Sequence, residues 1–162
     1  MALQAIRYVR GSLDILDQLQ LPHRSIYVSI KTCEDAFDAI KCMVVRGAPA
    51  IAIVAALGLA VELQNSNSRT LSADDARKLI SERLDFLVKS RPTAVNLSDA
   101  ATKLKRVVAG SNQVVEEFIL AAEKMLVDDV LDNKNIGDFG AQWILENVGE
   151  KQVAVLTHCN TG

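Results

Sequence analysis

The stretch APAIAIVAALGLAVEL, residues 48–63, decides the fold. It is apolar nearly all round, which is typical of a helix that other elements surround on every side. Pro49 suits the first turn of such a helix, because the N–H that proline lacks would have no helical partner there. Glu62 lies near the other end, and the stretch is short for a helix that crosses a bilayer. We therefore predict a central core helix from Pro49 to about Gln64.

On both sides of this core helix, apolar residues recur with helical spacing. Upstream, Thr32 and Asp35 resemble a capping box, and the pattern after them predicts a helix that ends near Gly47. Downstream, a helix begins at Ser72 and ends before Pro92, since the residue that precedes a proline disfavours helical backbone. Further helices are predicted at residues 97–109, 113–131 and 136–147, with a turn at residues 132–135. The pattern thus predicts a bundle of about six helices.

Short β-like runs precede the helices, at residues 5–10, 13–17 and 25–30. The glycine at position 11 separates the first two runs and predicts a hairpin. We expect a small antiparallel sheet followed by the helical bundle, which is an α+β arrangement.

The last apolar run, VAVLT at residues 153–157, has a different character. Apolar residues on both faces are typical of a strand that is buried within a parallel sheet. Such a strand needs parallel neighbours, and crossovers of about a dozen residues or more must connect them. We therefore predict a small β-sheet at residues 1–30, a helical domain at 31–149, and at 150–162 the start of an α/β domain that is not completed.

The composition indicates a globular protein and argues against several classes of partner. Of the 162 residues, 49% are hydrophobic and 23% charged, and the net charge is −2. Nucleic acid is not an expected partner, because there is no basic stripe and only 4% of residues are aromatic. No signal peptide is recognised, and three cysteines without CxxC spacing predict neither a disulfide framework nor a zinc site. A reducing, cytosolic compartment is expected, with Cys33 and Cys42 as packing residues.

Two segments could bind an anion. In VRGAPA, residues 45–50, a cation and a turn of small residues precede the core helix. Backbone N–H groups, the helix dipole and Arg46 would converge there, as they do in phosphate sites. The alternative is an ordinary turn, with Gly47 ending one helix and Arg46 solvated. In SRPTAVN, residues 90–96, Arg91 is either a second anion ligand or a surface arginine beside a cap formed by Thr93 or Asn96.

A third segment, LTHCNTG at residues 156–162, follows the predicted parallel strand. Ligands of open α/β sheets bind beyond the carboxyl ends of the strands. His158 and Cys159 are therefore candidates for acid–base or nucleophilic chemistry. The alternatives are a structural histidine and an inert buried thiol.

Two other features are interpreted as structural. Trp143 is expected to lie in the core rather than to form a ligand platform. The acidic cluster of Asp128, Asp129 and Asp132 resembles a solvated helix end, and a metal site there is not expected because no histidine lies nearby.

The three candidate segments together resemble a known family. RGAPAI at residues 46–51, RPTAVN at 91–96 and THCNTG at 157–162 are similar to signatures of the methylthioribose-1-phosphate isomerases. Residues 1–10 and NIGD at 135–138 are similar to that family as well, so the resemblance to its N-terminal part runs the length of the chain. RGAPAI alone also recurs in the regulatory subunits of the translation-initiation guanine-nucleotide exchange factor and in ribose-1,5-bisphosphate isomerases.

The resemblance implies an aldose–ketose isomerase that converts 5-methylthioribose 1-phosphate to 5-methylthioribulose 1-phosphate in methionine salvage. It implies a small sheet-and-helix domain followed by a Rossmann-like catalytic domain, with no metal or organic cofactor. By similarity, Arg46, Gly47, Ala48 and Arg91 bind the substrate and its phosphate, and Cys159 is the catalytic cysteine. The family's catalytic aspartate lies in the Rossmann-like domain, beyond residue 162.

Three hypotheses stay open. The chain is the N-terminal part of an isomerase, a non-enzymatic regulatory relative, or a truncated and inactive product that at most binds a full-length subunit. The thiol at the predicted strand end favours the isomerase, because the chemistry uses a thiol there. The 162 residues alone are expected to lack activity. The full-length protein is expected to be a homodimer in the cytoplasm or nucleus, with a small phosphorylated thiosugar as substrate and no membrane partner.

Overall fold

The computed structural model describes residues 3–148 and 152–156 of the chain. Three strands form a sheet in the order β1-β2-β3, and both strand pairs are antiparallel. Five α-helices follow within the described residues, with a short 3-10 helix at Asn67–Thr70 between the second and the third. The elements are β1 (Ile6–Val9), β2 (Ser12–Leu16), β3 (Tyr27–Ile30), α1 (Cys33–Lys41), α2 (Ala50–Asn65), α3 (Ala73–Val88), α4 (Val95–Val108) and α5 (Val114–Val148).

The predicted antiparallel sheet is confirmed. Gly11 has a φ of 87° in the tight turn between β1 and β2, a backbone conformation that glycine adopts without strain. Leu13 and Ile15 alternate with more exposed neighbours along β2 and are fully buried against the helices. Leu13 pairs with Ile30 of β3, so one face of the sheet joins the helical core.

The predicted core helix is also confirmed, as α2. Twelve of its sixteen residues are buried, and it contacts all four other helices and β2. Gly58 allows α1 to approach closely, because a Cβ there would lie only 2.7 Å from the Cβ of Ala36. Glu62 is the one charged residue of α2; it accepts the Cys33 N–H at 2.6 Å and pairs with Arg83 at 3.1 Å. Among the described residues, no helix is long and apolar enough to span a membrane.

The first helix ends earlier than the sequence pattern predicts. It stops at Lys41 rather than near Gly47, because the chain then turns back on the last helical turn. Met43 adopts a left-handed φ of 61°, and the Val44 N–H reaches the Ala39 carbonyl at 2.9 Å. This is a Schellman ending with methionine at the position that glycine usually takes.

The two predicted C-terminal helices are a single helix, α5, so the described bundle has five helices and not six. The expected turn at residues 132–135 is helical. Asn133 lies inside the helix with its side-chain amide bonded to the Asp129 carbonyl at 2.8 Å, a local bond compatible with helical backbone. Beyond residue 130 the helix is almost entirely exposed. The interpretation of Trp143 as a core residue is wrong, since 62% of it is exposed.

A group of ion pairs and hydrogen bonds attaches α5 to the sheet. Glu123 accepts the Tyr8 hydroxyl at 2.9 Å and is bonded to Arg10 at 2.7 Å, and Arg10 also reaches Glu116 at 2.6 Å. The hydrogen bonds from Arg10 and Tyr8 lower the pKa of the Glu123 carboxyl. These contacts set the position of α5 relative to β1.

The predicted parallel strand at residues 153–157 is not formed in its described part. Residues 152–156 have no regular secondary structure, and Val155 and Leu156 are 78% and 96% exposed. A strand needs a neighbour to complete its ladder, and the sheet formed by the described residues is antiparallel and lies at the other end of the chain. The division into units at residues 1–30, 31–149 and 150–162 stays a prediction.

Candidate functional site

The turn before α2 has a defined backbone. Gly47 has a φ of 96°, which favours glycine because a Cβ would be strained there. The peptide bond between Ala48 and Pro49 is cis. The Nε of Arg46 donates to the Met43 carbonyl at 3.2 Å, and the Arg46 carbonyl accepts the side-chain amide of Gln18 at 3.4 Å. The base of the Arg46 side chain is therefore held, while its guanidinium has no acidic partner within residues 3–148 and 152–156.

The N-terminus of α2 adjoins this turn without a side-chain cap. Pro49 is the N-cap residue, and the first turn contains no acidic residue. The Ile51 N–H turns back to the Gly47 carbonyl at 3.2 Å. The positive end of the helix dipole thus lies beside Gly47 and Ala48 without a neutralising carboxylate in its first turn.

Arg91 lies on the other side of the same turn. It follows α3 in a tight connection, in which the Ala94 N–H donates to the Arg91 carbonyl at 2.9 Å. Ala94 is the N-cap of α4 and makes no side-chain bond, so the expected cap by Thr93 or Asn96 is not formed. Arg91 is half-buried, and no ion pair to it is present in the described part of the chain.

Two cavities meet at Gly47 and Ala48. The first, of about 350 Å³, is lined by these two residues together with Arg91 and Asn96. The second, of about 320 Å³, is lined by Arg46, Gly47 and Ala48 together with side chains from the sheet region and α5. The predicted ligands therefore do not share one cavity: Arg46 lines one and Arg91 the other, with the turn between them.

The second cavity contains residues that the sequence analysis missed. Asp129 and Asn133 of α5 line it together with the turn and Gln18, and its apolar lining comes from Leu3, Leu16 and Leu21. The prediction that Asp129 lies at a solvated helix end is wrong, because Asp129 is half-buried in the middle of α5. Burial raises the pKa of its carboxyl, although the bond from Asn133 lowers it. The spacing of four residues between Asp129 and Asn133 was the signal in the sequence, but the predicted turn at 132–135 concealed it.

The cysteines separate into three cases. Cys33 is fully buried, as predicted, and burial raises the pKa of its thiol. Cys42 is the C-cap of α1 and is exposed, so its interpretation as a packing residue is wrong. His158 and Cys159 lie outside the described residues, and their roles stay predictions. Within the described ranges, no group of three histidine, cysteine or acidic side chains could hold a metal ion.

The arrangement is suited to an anion. Two arginines that have no acidic partner among the described residues, together with an uncapped helix N-terminus, surround a turn that two cavities adjoin. Arginine and backbone N–H groups are the donors that proteins use for phosphate. The described residues therefore present the kinds of donor that proteins use to bind a phosphorylated ligand.

Comparison with known proteins identifies a family and several relatives of this chain. The Initiation factor 2 subunit family matches residues 44–162. The methylthioribose-1-phosphate isomerase of Arthroderma otae is 52% identical over 177 aligned positions, which include the whole of this chain and 46% of that protein. The barley (Hordeum vulgare) protein of the same name is 52% identical over 169 positions, with 99% of this chain and 46% of its own length covered.

Solved structures show the same relationship. The 5-methylthioribose 1-phosphate isomerase of Pyrococcus horikoshii superposes with a TM-score of 0.78 at 28% identity, covering 87% of this chain and 40% of its own. The delta subunit of translation initiation factor eIF-2B from A. fulgidus superposes with a TM-score of 0.76 at 31% identity, covering 88% and 42%. The chain thus spans less than half the length of these relatives. It belongs to the Initiation factor 2 subunit family, and within that family it is a homologue of the methylthioribose-1-phosphate isomerases.

Proposed function

We propose that this chain supplies the phosphate-binding part of the active site of an aldose–ketose isomerase that acts on 5-methylthioribose 1-phosphate. The observation that carries the proposal is the turn at Gly47 and Ala48. It lies between two cavities, each lined by one arginine that has no acidic partner in the part of the chain that the structure describes. Identity of about half to isomerases over the whole chain supports this reading.

The chemistry explains why phosphate binding is needed at this place. The anomeric oxygen of the substrate carries phosphate, so the sugar ring cannot open by simple loss of a hydroxyl proton. The enzyme must assist ring opening and then move hydrogen between C2 and C1. Arg46 and Arg91, one from each side of the turn, would hold the phosphate at the α2 N-terminus through charge-assisted hydrogen bonds and so fix the anomeric carbon.

The proton-transfer groups belong to the other part of the proposal. Cys159 would serve as the acid, with an aspartate of a Rossmann-like domain as its partner. Residues 150–162 would begin that domain, and the run at residues 153–157 would become a strand once parallel neighbours are present. The reaction would need no cofactor, and the whole protein would be a homodimer.

Binding and turnover test separate parts of the proposal. Titration calorimetry on the 162-residue chain measures affinity for 5-methylthioribose 1-phosphate. Arg46→Ala and Arg91→Ala should each weaken binding by roughly 10- to 150-fold, the equivalent of one lost charge-assisted bond. Arg106→Ala is the matched control, because Arg106 is exposed on α4 and lines neither cavity. Equal affinity for all four proteins would contradict the proposed phosphate site.

Turnover is measured on the whole protein, which under this proposal includes the Rossmann-like domain. Cys159→Ser should lower kcat by about 100-fold or more, because serine is a far weaker acid than cysteine. A normal kcat with reduced stability would return Cys159 to a structural role.

A regulatory role is the second candidate. It is favoured by the A. fulgidus eIF-2B delta subunit, whose superposition on this chain is almost as good as that of the isomerase. Under this alternative the chain would bind no thiosugar phosphate, and Cys159→Ser would change no activity. The calorimetric titration therefore discriminates between the two candidates.

A further inference from the structure

We propose that Asp129 and Asn133 form the hydroxyl-recognising wall of the substrate site, facing the phosphate-binding turn across the Arg46 cavity. The ligand class is a phosphorylated sugar whose phosphate lies at the turn and whose neutral hydroxyls point towards α5. This inference rests on the function proposed above and adds to it the residues that would fix which way the sugar lies.

The first support is geometric. Asp129 and Asn133 are four residues apart on one helix, and both line the cavity that Arg46, Gly47 and Ala48 also line. The bonds from Glu123 to β1, six residues before Asp129, hold this part of α5 against the domain. The wall is therefore built on a helix that is anchored at Glu123, and not on a loop.

The second support is the hydrogen-bonding capacity of the pair. The Asn133 amide donates to the Asp129 carbonyl at 2.8 Å and to Asp129 Oδ1 at 3.2 Å, which orients both side chains. Oδ2 of Asp129 and Oδ1 of Asn133 receive no hydrogen bond from the described residues. Both oxygens are hydrogen-bond acceptors, and the hydroxyl groups of a sugar can donate to them.

Charge determines the orientation of the ligand in the cavity. A carboxylate repels a phosphate, so the phosphate is favoured on the Arg46 side and the uncharged hydroxyls on the Asp129 side. Burial raises the pKa of Asp129, which indicates a carboxyl that has lost part of its hydration. Such a group gains from hydroxyl donors that replace the lost water.

Two probes distinguish this wall from the phosphate site. Calorimetry on the 162-residue chain compares inorganic phosphate with 5-methylthioribose 1-phosphate. Asp129→Ala and Asn133→Ala should each lower the affinity for the sugar phosphate by about tenfold or more. The affinity for inorganic phosphate should stay the same or increase. Arg46→Ala should weaken both probes. Asp128→Ala is the matched control, because Asp128 pairs with Lys124 at 2.6 Å and does not line this cavity.

Each outcome has one meaning. A selective loss of the sugar phosphate supports the hydroxyl wall, and Asp129→Asn, which preserves size, should show a smaller loss than alanine. Equal weakening of both probes by Asp129→Ala would overturn it, because the residue would then act on the fold or on the phosphate. No change at Asp129 and Asn133 with a loss at Arg46 overturns this inference alone. No change at any of the three positions overturns the proposed function too.

Discussion

The close contact between Gly58 and α1 leads to a prediction whose size follows from the structure. Replacing Gly58 by alanine places a Cβ at 2.7 Å from the Cβ of Ala36 and at 3.4 Å from a methyl group of Ile30. Carbon atoms in contact prefer a separation of about 3.5–4.0 Å. The two helices must therefore move apart by about 1 Å, and Ala36 is completely buried, so no solvent-facing space can absorb the shift.

The expected magnitude is the difference between two effects. Overpacking of a filled core costs about 1–3 kcal/mol. Alanine in place of glycine inside a helix stabilises the folded protein by about 1 kcal/mol. Because the clash is between two backbone-anchored Cβ atoms, we expect the upper part of that range and a net loss of about 1–2 kcal/mol. For a chain of this size this corresponds to a fall in Tm of roughly 2–8 °C.

Urea unfolding followed by circular dichroism measures this change, and two further variants sharpen it. Gly140→Ala is the matched control, because Gly140 lies within α5 and a Cβ there meets nothing within 4 Å. That variant should be neutral or more stable by up to about 1 kcal/mol. In the double variant with Ala36→Gly, the opposing Cβ is removed, so the combined loss should be smaller than the sum of the two single losses. A Gly58→Ala variant as stable as wild type, or strictly additive losses, would refute the reasoning.

Three further predictions concern α1. Met43→Gly should raise the free energy of unfolding by about 0.5–1 kcal/mol, because the left-handed φ strains a residue that has a Cβ; urea unfolding measures this, and a loss would contradict it. Hydrogen bonds from the backbone N–H groups of Lys31 and Thr32 lower the pKa of Asp35. An exposed carboxylate in the first turn of a helix contributes about 0.3–1 kcal/mol. This contribution should be complete above pH ~5 and disappear as the pH falls through the lowered pKa, so Asp35→Ala and wild type should converge in acid. In native protein, a thiol reagent should modify exposed Cys42 rapidly and buried Cys33 only on unfolding, as peptide mapping would reveal.

The sequence pattern predicts elements well where local and tertiary preferences agree. The apolar stretch before Glu62 predicts a buried helix, and twelve of the sixteen residues of α2 are buried. The capping box at Thr32 and Asp35 is present, with both of its hydrogen bonds formed. In these places one local signal is sufficient, because no competing interaction opposes it.

The sequence pattern fails where the same local residues are compatible with two backbone conformations. Asp132, Asn133 and Asn135 favour a turn by composition, but in α5 they continue the helix. Met43 at the end of α1 could not be recognised as a left-handed residue, because glycine is the usual marker of that position. The site shows a third kind of limit. Arg46 and Asp129 are far apart in the chain, and only the packing of α5 against α2 and α4 brings them to one cavity.

The length of α5 has a consequence for the evolution and engineering of this domain. At about 1.5 Å per residue, its 35 residues extend about 50 Å, and the buried positions lie within the first turns, up to Ala122. Ile136, Phe139 and Trp143 are exposed on one face of the distal part. A single inserted residue between Ala122 and Ile136 would rotate that face by about 100°, whereas seven inserted residues would return it almost to its original direction. The number of residues between Ala122 and Ile136 therefore sets the direction in which this exposed apolar face points.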